Sequence, residues 1–370
     1  MKDGLFRIGA ATPCVAVAHV EENRRRILQL IRQGAEEGCG VVCFPELSLT
    51  GYTCGDLFRD RTLLAGAEQA LAALLKDTAD LDLVCVVGVP VPWQGALYNC
   101  GAVFHRGRLL GLPAKVCIPN YSEFYEARHF TPAPAAQEIT YAGQRTWLGR
   151  GLLFPCENVP DLCLGVEICE DLWSPVPPST DLARNGATVL LNPSCSDETI
   201  GKAEYRRELV RQHSGRLLAA YAYVDSGLGE STTDMVFAGH DMIAENGSLL
   251  EESRLFTTGL LTADVDLERL SQERRRMNTW VPCPGPGRGA RLLPLRGGHV
   301  GGFPAPAELC PHSLCPPGRR RPFRPVPADF DHAECGVGQP AFRHWRQSGG
   351  GGPVRRIGFH LGPVGHRPGL

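Results

Sequence analysis

At 370 residues, with 43% apolar and 21% charged side chains, the chain can bury one large α/β core or two to three average ones. A formal net charge of -2 excludes partners held by bulk positive charge, such as nucleic acid or an anionic membrane surface, and no run approaches the ~18 apolar residues of a membrane span. The opening MKDGLFRIGAATP has no long apolar core of a secretory signal, so the 15 cysteines are expected to be mostly buried thiols in a reducing cytoplasm.

In chain order, RRRILQLIRQGAEEG places Ile27, Leu28, Ile31 and Ala35 on one helical face, and GVVCF follows as a short buried strand. Cys39 and Cys43 flank the GVV of that strand and read as core, and no metal site is expected. GAEQALAALLKD then precedes DLVCVVGVP, and LYNCGAVFHRGRLLG reads as a hairpin turning at Arg106 and Gly107. STDLARNGA precedes TVLLN, and a helix from about Ala203 to Arg216 turns Leu209 and Val210 inward. ESTTDMVFAGHDMIAENGSLLEES pairs two strands around an Asn246-Gly247 turn. This alternation predicts a layered α/β domain over residues 1–280.

After Trp280 the composition changes. Residues 281–370 hold 16 of the 30 prolines and no lysine, while Arg, His and Gly rise. Such a segment reads as a Pro/Gly/Arg-rich disordered tail without regular structure. A sharper expectation comes from the codons. Written with degenerate third bases and shifted forward by one, VRRIGFHLG (354–362) becomes compatible with Ser-Gly-Gly-Leu-Asp-Ser-Thr-Leu. The SGGGG before it becomes compatible with a strand of small apolar residues. A loop of that kind after a buried strand resembles the pyrophosphate loop of ATP pyrophosphatases, whose backbone amides hold phosphate. The tail is therefore expected to be an out-of-frame reading of a second, ATP-using domain, with the shift somewhere after Asn278.

Three segments of the first 280 residues carry chemistry. In FPELSLTGY (44–52), Glu46 follows a strand and Pro45, at a strand end where α/β enzymes build sites; alone, such an acid is more often a helix cap or a surface charge. In LPAKVCIPNYSEFYEARHF (112–130), Lys115 sits in a mostly apolar stretch, which is costly for an ammonium unless it is paired or snorkels to the surface. In VEICEDLW (166–173), Cys169 ends an apolar run and is followed by two carboxylates, which disfavour a thiolate; alone it reads as a buried strand-end cysteine.

Together these segments, with IGKAEYRRELVRQ, resemble the nitrilase or carbon-nitrogen hydrolase superfamily, and within it the glutaminase domain of glutamine-dependent NAD synthetases. The resemblance covers residues 1–280 and implies a four-layer α-β-β-α sandwich. It implies Cys169 as nucleophile, Glu46 as general base and Lys115 as oxyanion stabiliser, aided by the backbone N–H of Glu170. Lys115 is also expected to favour the Cys169 thiolate and offset the adjacent acids. Glu123 resembles the second glutamate of these enzymes and is expected to orient Lys115 or substrate.

The same resemblance implies Tyr121, Ser196 and Lys202 as contacts to the substrate, L-glutamine, although Ser196 alone could be a turn residue and Lys202 a solvated one. It implies no cofactor for this domain, with ATP and Mg used only by a synthetase domain that the chain as written lacks, and a homo-oligomer for the intact protein. Two other readings stay open: a stand-alone amidase acting on another small amide, and an inactive truncated product.

Overall fold

The computed structural model describes residues 5–230, 235–283 and 291–295. The first half runs β1 (Leu5–Thr12), α1 (Val20–Glu36), β2 (Val41–Cys43), α2 (Arg61–Asp77), β3 (Val84–Trp93), β4 (Ala96–His105), β5 (Arg108–Pro113), β6 (Gln137–Tyr141) and β7 (Gln144–Gly149). It continues through β8 (Leu152–Pro155), β9 (Cys163–Val166), α3 (Glu170–Trp173), α4 (Pro178–Arg184), β10 (Val189–Ser194), α5 (Lys202–Leu217) and β11 (Ala220–Asp225). The last elements are β12 (Met242–Glu245), β13 (Ser248–Glu252), β14 (Gly259–Asp266), α6 (Leu267–Arg276) and β15 (Arg291–Leu292).

The strands form two sheets, ordered β14-β1-β2-β3-β4-β5-β7-β6 and β13-β12-β11-β10-β9-β8-β15. Strand period two explains how they stack. Val41, Cys43, Val84 and Val86 point into one core with Leu164, Val166, Val189 and Leu191 of the other sheet. The alternate residues Val42, Cys85 and Val87 meet Ile27 and Ile31 of α1 and Leu71 and Leu74 of α2. On the far side, Leu190, Tyr221 and Met242 pack against Leu182 of α4 and Val210 of α5. Helix, sheet, sheet and helix thus make the four layers, and strands covered on both faces read as continuous apolar runs.

The expected hairpin turns are present: Arg106 and Gly107 have φ of 47° and 75°, and Asn246 and Gly247 have 47° and 84°. Helix α1 starts four residues before the expected stretch, because the His19 side chain accepts the Glu22 N–H at 3.3 Å and caps it. Of the twelve described cysteines, all free, only Cys14, Cys117 and Cys283 are partly exposed. Among the described residues no helix is long and apolar enough to cross a membrane.

Regular structure continues a little beyond the boundary expected at residue 280. Arg291 and Leu292 pair in parallel with Leu152 and Leu153, and Leu295 is buried in the core between the sheets. A short apolar RLLPL amid prolines suffices to finish a sheet edge, so the regular structure reaches past 280. The rest of the expected disordered, out-of-frame tail, 284–290 and 296–370, lies outside the described residues.

Candidate active site

Glu46 stands three residues beyond β2, on a turn pressed against β3. A Cβ on Gly88 would lie 2.1 Å from the Leu47 nitrogen and 2.5 Å from the Pro45 carbonyl oxygen, so only glycine at 88 admits that turn. The Glu46 carboxylate is buried. Its Oε1 accepts hydrogen bonds from Asn99 Nδ2 at 2.6 Å and Lys115 Nζ at 2.7 Å. Its Oε2 is buried without a hydrogen-bonding partner.

Lys115 follows β5 and is held by its own backbone: its N–H donates to the Asn99 carbonyl and its carbonyl accepts from Ala133 N–H. The side chain is fully buried. Besides Glu46, its Nζ donates at 2.5 Å to Glu126 Oε1, which also accepts the Tyr52 hydroxyl at 2.8 Å. Burial works against the ammonium, but Glu126 and Glu46 outweigh it and raise its pKa. An ammonium has three N–H bonds, and the two carboxylates take two of them. Burial likewise pushes the Glu46 carboxyl up, to about 8; Lys115 opposes this and Glu126 reinforces it. One cation between two acids leaves a net negative cluster that favours keeping a proton.

Cys169 lies between β9 and α3 with φ 45° and ψ -100°, a conformation that L side chains resist. The two acids that follow it do not aim their charge at the sulfur. Asp171 accepts the backbone N–H groups of Ile168 at 2.9 Å, Val116 at 3.1 Å and Cys117 at 2.7 Å. One buried carboxylate therefore ties the segment carrying Lys115 to the bend carrying Cys169. Glu170 turns outward and accepts the Tyr121 hydroxyl at 2.9 and 3.0 Å. Its own N–H occupies the first helical position of α3, where no intrahelical carbonyl can accept it.

Lys115 pulls toward the Cys169 thiolate, as expected, but does not outweigh what opposes it. Burial and the Glu46 charge raise the Cys169 pKa well above its ordinary value, and Lys115 only partly offsets them. The reason is that the ammonium is committed to two carboxylates. The balance favours the protonated sulfur over the thiolate.

A family model described as carbon-nitrogen hydrolase matches residues 7–275. The chain belongs to the carbon-nitrogen hydrolase family. A glutamine-dependent NAD(+) synthetase of Mycobacterium tuberculosis (strain ATCC 25618 / H37Rv) is 43% identical over 280 residues, which are 75% of this chain and 41% of that protein. The crystal structure of a glutamine-dependent NAD(+) synthetase from Cytophaga hutchinsonii has a TM-score of 0.63 at 29% identity, covering 70% of this chain and 43% of that one. An amidase from Nesterenkonia AN1 has a TM-score of 0.57 at 18% identity, covering 75% and 96%, a likeness of fold alone. The chain thus spans less than half the length of the synthetases it matches.

Around this hydrolase's inner cluster, the structure sorts the other expected residues. Glu123 does not reach Lys115; it is half-buried and lines a cavity of about 230 Å³ beside Tyr52, Phe58 and Glu126. Phe124 and Glu126 are buried while Tyr125 between them is exposed, so the alternation of the segment selects Glu126 as the second glutamate. That signal was in EFYE, once Phe124 is taken as inward.

Tyr121 is exposed, and Ser196 is buried with its N–H donated to Asp225 Oδ1 at 2.8 Å. Lys202 opens α5, pairs with Asp197, and sits over the rings of Trp173 at 5.4 Å and Phe124 at 5.8 Å. It is a packed cation, not a solvated one. Glu170 feels the charges of Lys115, Glu126 and Lys202, so it links the inner cluster to this outer rim. Asn99, Tyr52 and Asp171 complete the constellation and carried no signal of their own as ligands of it.

Proposed function

We propose that this chain is the glutamine-hydrolysing part of a glutamine-dependent NAD synthetase, releasing ammonia for ATP-dependent amidation of deamido-NAD by a separate synthetase segment. The observation that carries it is the buried Glu46–Lys115–Glu126 cluster beside Cys169, in a chain 43% identical over 280 residues to such a synthetase.

Cys169 Sγ attacks the side-chain amide carbon of L-glutamine while its proton passes to Glu46 Oε2, the oxygen left without a partner. The oxyanion of the tetrahedral intermediate takes the third N–H of Lys115 and the Glu170 N–H. On collapse, Glu46 returns the proton to the leaving nitrogen, giving ammonia and a γ-glutamyl thioester. Glu46 then takes a proton from water, whose oxygen attacks the thioester carbon, and glutamate leaves with the thiol restored. Lys202 would leave Asp197 for the substrate's α-carboxylate, with Ser196 and Tyr121 orienting its polar end. Glu126 and Asn99 hold the cluster in register.

This hydrolysis calls for no cofactor. ATP and Mg belong to the synthetase segment, which we propose was displaced from frame after about residue 280. The same reading places the protein in the cytoplasm as a homo-oligomer. Sequencing the gene across codons 278–370 tests the frame proposal, and an unbroken frame matched by natural tail peptides would sink it.

The activity is tested by incubating the purified 370-residue chain with L-glutamine and a panel of small amides. Glutamate and ammonia should form from glutamine, with no NAD from deamido-NAD and ATP. Preference for a different amide would establish the stand-alone amidase instead, and no turnover of any amide would establish an inactive product.

A further inference from the structure

The strained backbone of Cys169 needs something to hold it. Its N–H forks between Asn192 Oδ1 at 2.9 Å and the Pro193 carbonyl at 3.0 Å, both on β10 beside β9. Asn192 is fully buried and its amide can sit only one way round. Oδ1 also accepts the Ser194 hydroxyl at 2.7 Å, while Nδ2 donates to the Tyr221 hydroxyl at 2.8 Å. The Tyr221 hydroxyl in turn donates to Glu167 Oε1 at 2.6 Å, and Glu167 Oε2 accepts the Ser179 N–H at 2.9 Å. Glu167 lies two residues before Cys169. The chain of bonds therefore closes on the segment where it began and pins the bend from both sides.

We infer that Asn192 is a positioning residue for the Cys169 thiol and that Tyr221 acts through it. This rests on reading Cys169 as the nucleophile. The backbone torsions at 169 set the direction of the Cβ–Sγ bond. Without the Asn192 acceptor, the residue relaxes toward ordinary torsions and the sulfur swings away from Glu46 Oε2 and the free N–H of Lys115. The carboxamide suits the task because it offers an acceptor to two donors and a donor to Tyr221, with no charge beside the thiol.

The test uses the full chain with Asn192→Ala, Tyr221→Phe and the double variant. Three quantities are read: kcat and KM for glutamine, the alkylation rate of the Cys169 peptide by iodoacetamide, and the thermal midpoint. Asn192→Ala should lower kcat about 10- to 100-fold with KM nearly unchanged, the scale expected of a misplaced reacting atom. It should also slow alkylation at Cys169. Tyr221→Phe should have a smaller effect of the same kind, and the double variant should be no worse than Asn192→Ala alone. An unchanged kcat in Asn192→Ala, or fully additive losses in the double variant, would overturn the inference.

Should Asn192→Ala fail to fold, Tyr221→Phe decides: a lower kcat at constant KM supports the inference and an unchanged kcat overturns it. Should the wild-type chain not hydrolyse glutamine, the functional reading fails separately. The alkylation rate still decides then, since an equal rate at Cys169 with and without the Asn192 amide contradicts the positioning role.

Discussion

Two clusters in this molecule bring together residue types that hydrolases use. One is Cys169 with Glu46 and Lys115. The other is Ser179, whose Oγ lies 2.6 Å from His213 Nε2, with Glu167 Oε1 3.9 Å from that same nitrogen. Only the first leaves a carboxylate oxygen without any partner beside an ammonium with a spare N–H. Arg216 Nη2 approaches His213 Nδ1 at 2.7 Å, so Nδ1 must accept and the ring proton sits on Nε2, facing the serine. Burial and Arg216 lower the His213 pKa to about 4, so the ring stays neutral with no lone pair for the Ser179 proton. Both oxygens of Glu167 are taken as well. By contrast Glu46 Oε2 is unpartnered and Lys115 retains one N–H. Bonds left unmade, more than residue types within reach, set the Cys169 cluster apart and support the proposed role.

The largest predicted effect that sharpens this contrast is loss of the nucleophile. Cys169→Ala should remove measurable glutamine hydrolysis, whereas Ser179→Ala should leave kcat almost unaltered and show itself in stability, by about 1–3 kcal/mol in denaturant unfolding. Lys115→Met comes next. It strips the cation from two buried carboxylates, so it should cost about 3–5 kcal/mol of stability. Losing the oxyanion donor should also lower kcat by about 10²–10³. Stability retained in Lys115→Met would mean that the pair is not desolvated as the structure has it.

Asp171→Asn should reduce kcat about 10-fold or more. Oδ1 takes the Val116 and Cys117 N–H groups and Oδ2 takes the Ile168 N–H, so an amide nitrogen at either position meets a backbone N–H and breaks one side of the clasp between the Lys115 segment and the Cys169 bend. The mildest test is pH. Glu46 must be unprotonated to act as base, and burial raises its pKa to about 8. The sign follows directly: kcat/KM should rise with pH through a limb well above the ordinary carboxylate range and fall as pH drops. A limb near pH 4 would contradict the burial of Glu46.

Much of this was readable from the letters, and what was not has a physical cause. The layers were legible because ILQLI fits the 3.6 period of a helix buried on one stripe, and VCVVGV is the continuous apolar run that burial on both faces of a strand demands. Glu46, Lys115 and Cys169 were legible through the family resemblance of their segments taken together, since each alone reads as a cap or surface charge, a snorkelling lysine or a buried strand-end cysteine. Glu126 was missed in favour of Glu123, since only the fold shows which of two nearby acids turns inward. Asn99 and Asn192 looked like ordinary strand residues in LYNCG and LLNPS. Their roles depend on partners 53 and 23 residues away. The opposing pulls on the thiol were misjudged because sequence neighbours, Glu170 and Asp171, stood in for spatial ones, Glu46 and Glu126.

The central claim is that Cys169 carries the glutamyl group. Rapid acid quench of the full chain during turnover of L-glutamine, followed by peptide mass spectrometry, tests it most directly. A γ-glutamyl adduct is expected on the peptide containing Cys169, absent from Cys169→Ala along with ammonia release. Ammonia released at an undiminished rate by Cys169→Ala, with no adduct in either protein, would contradict it.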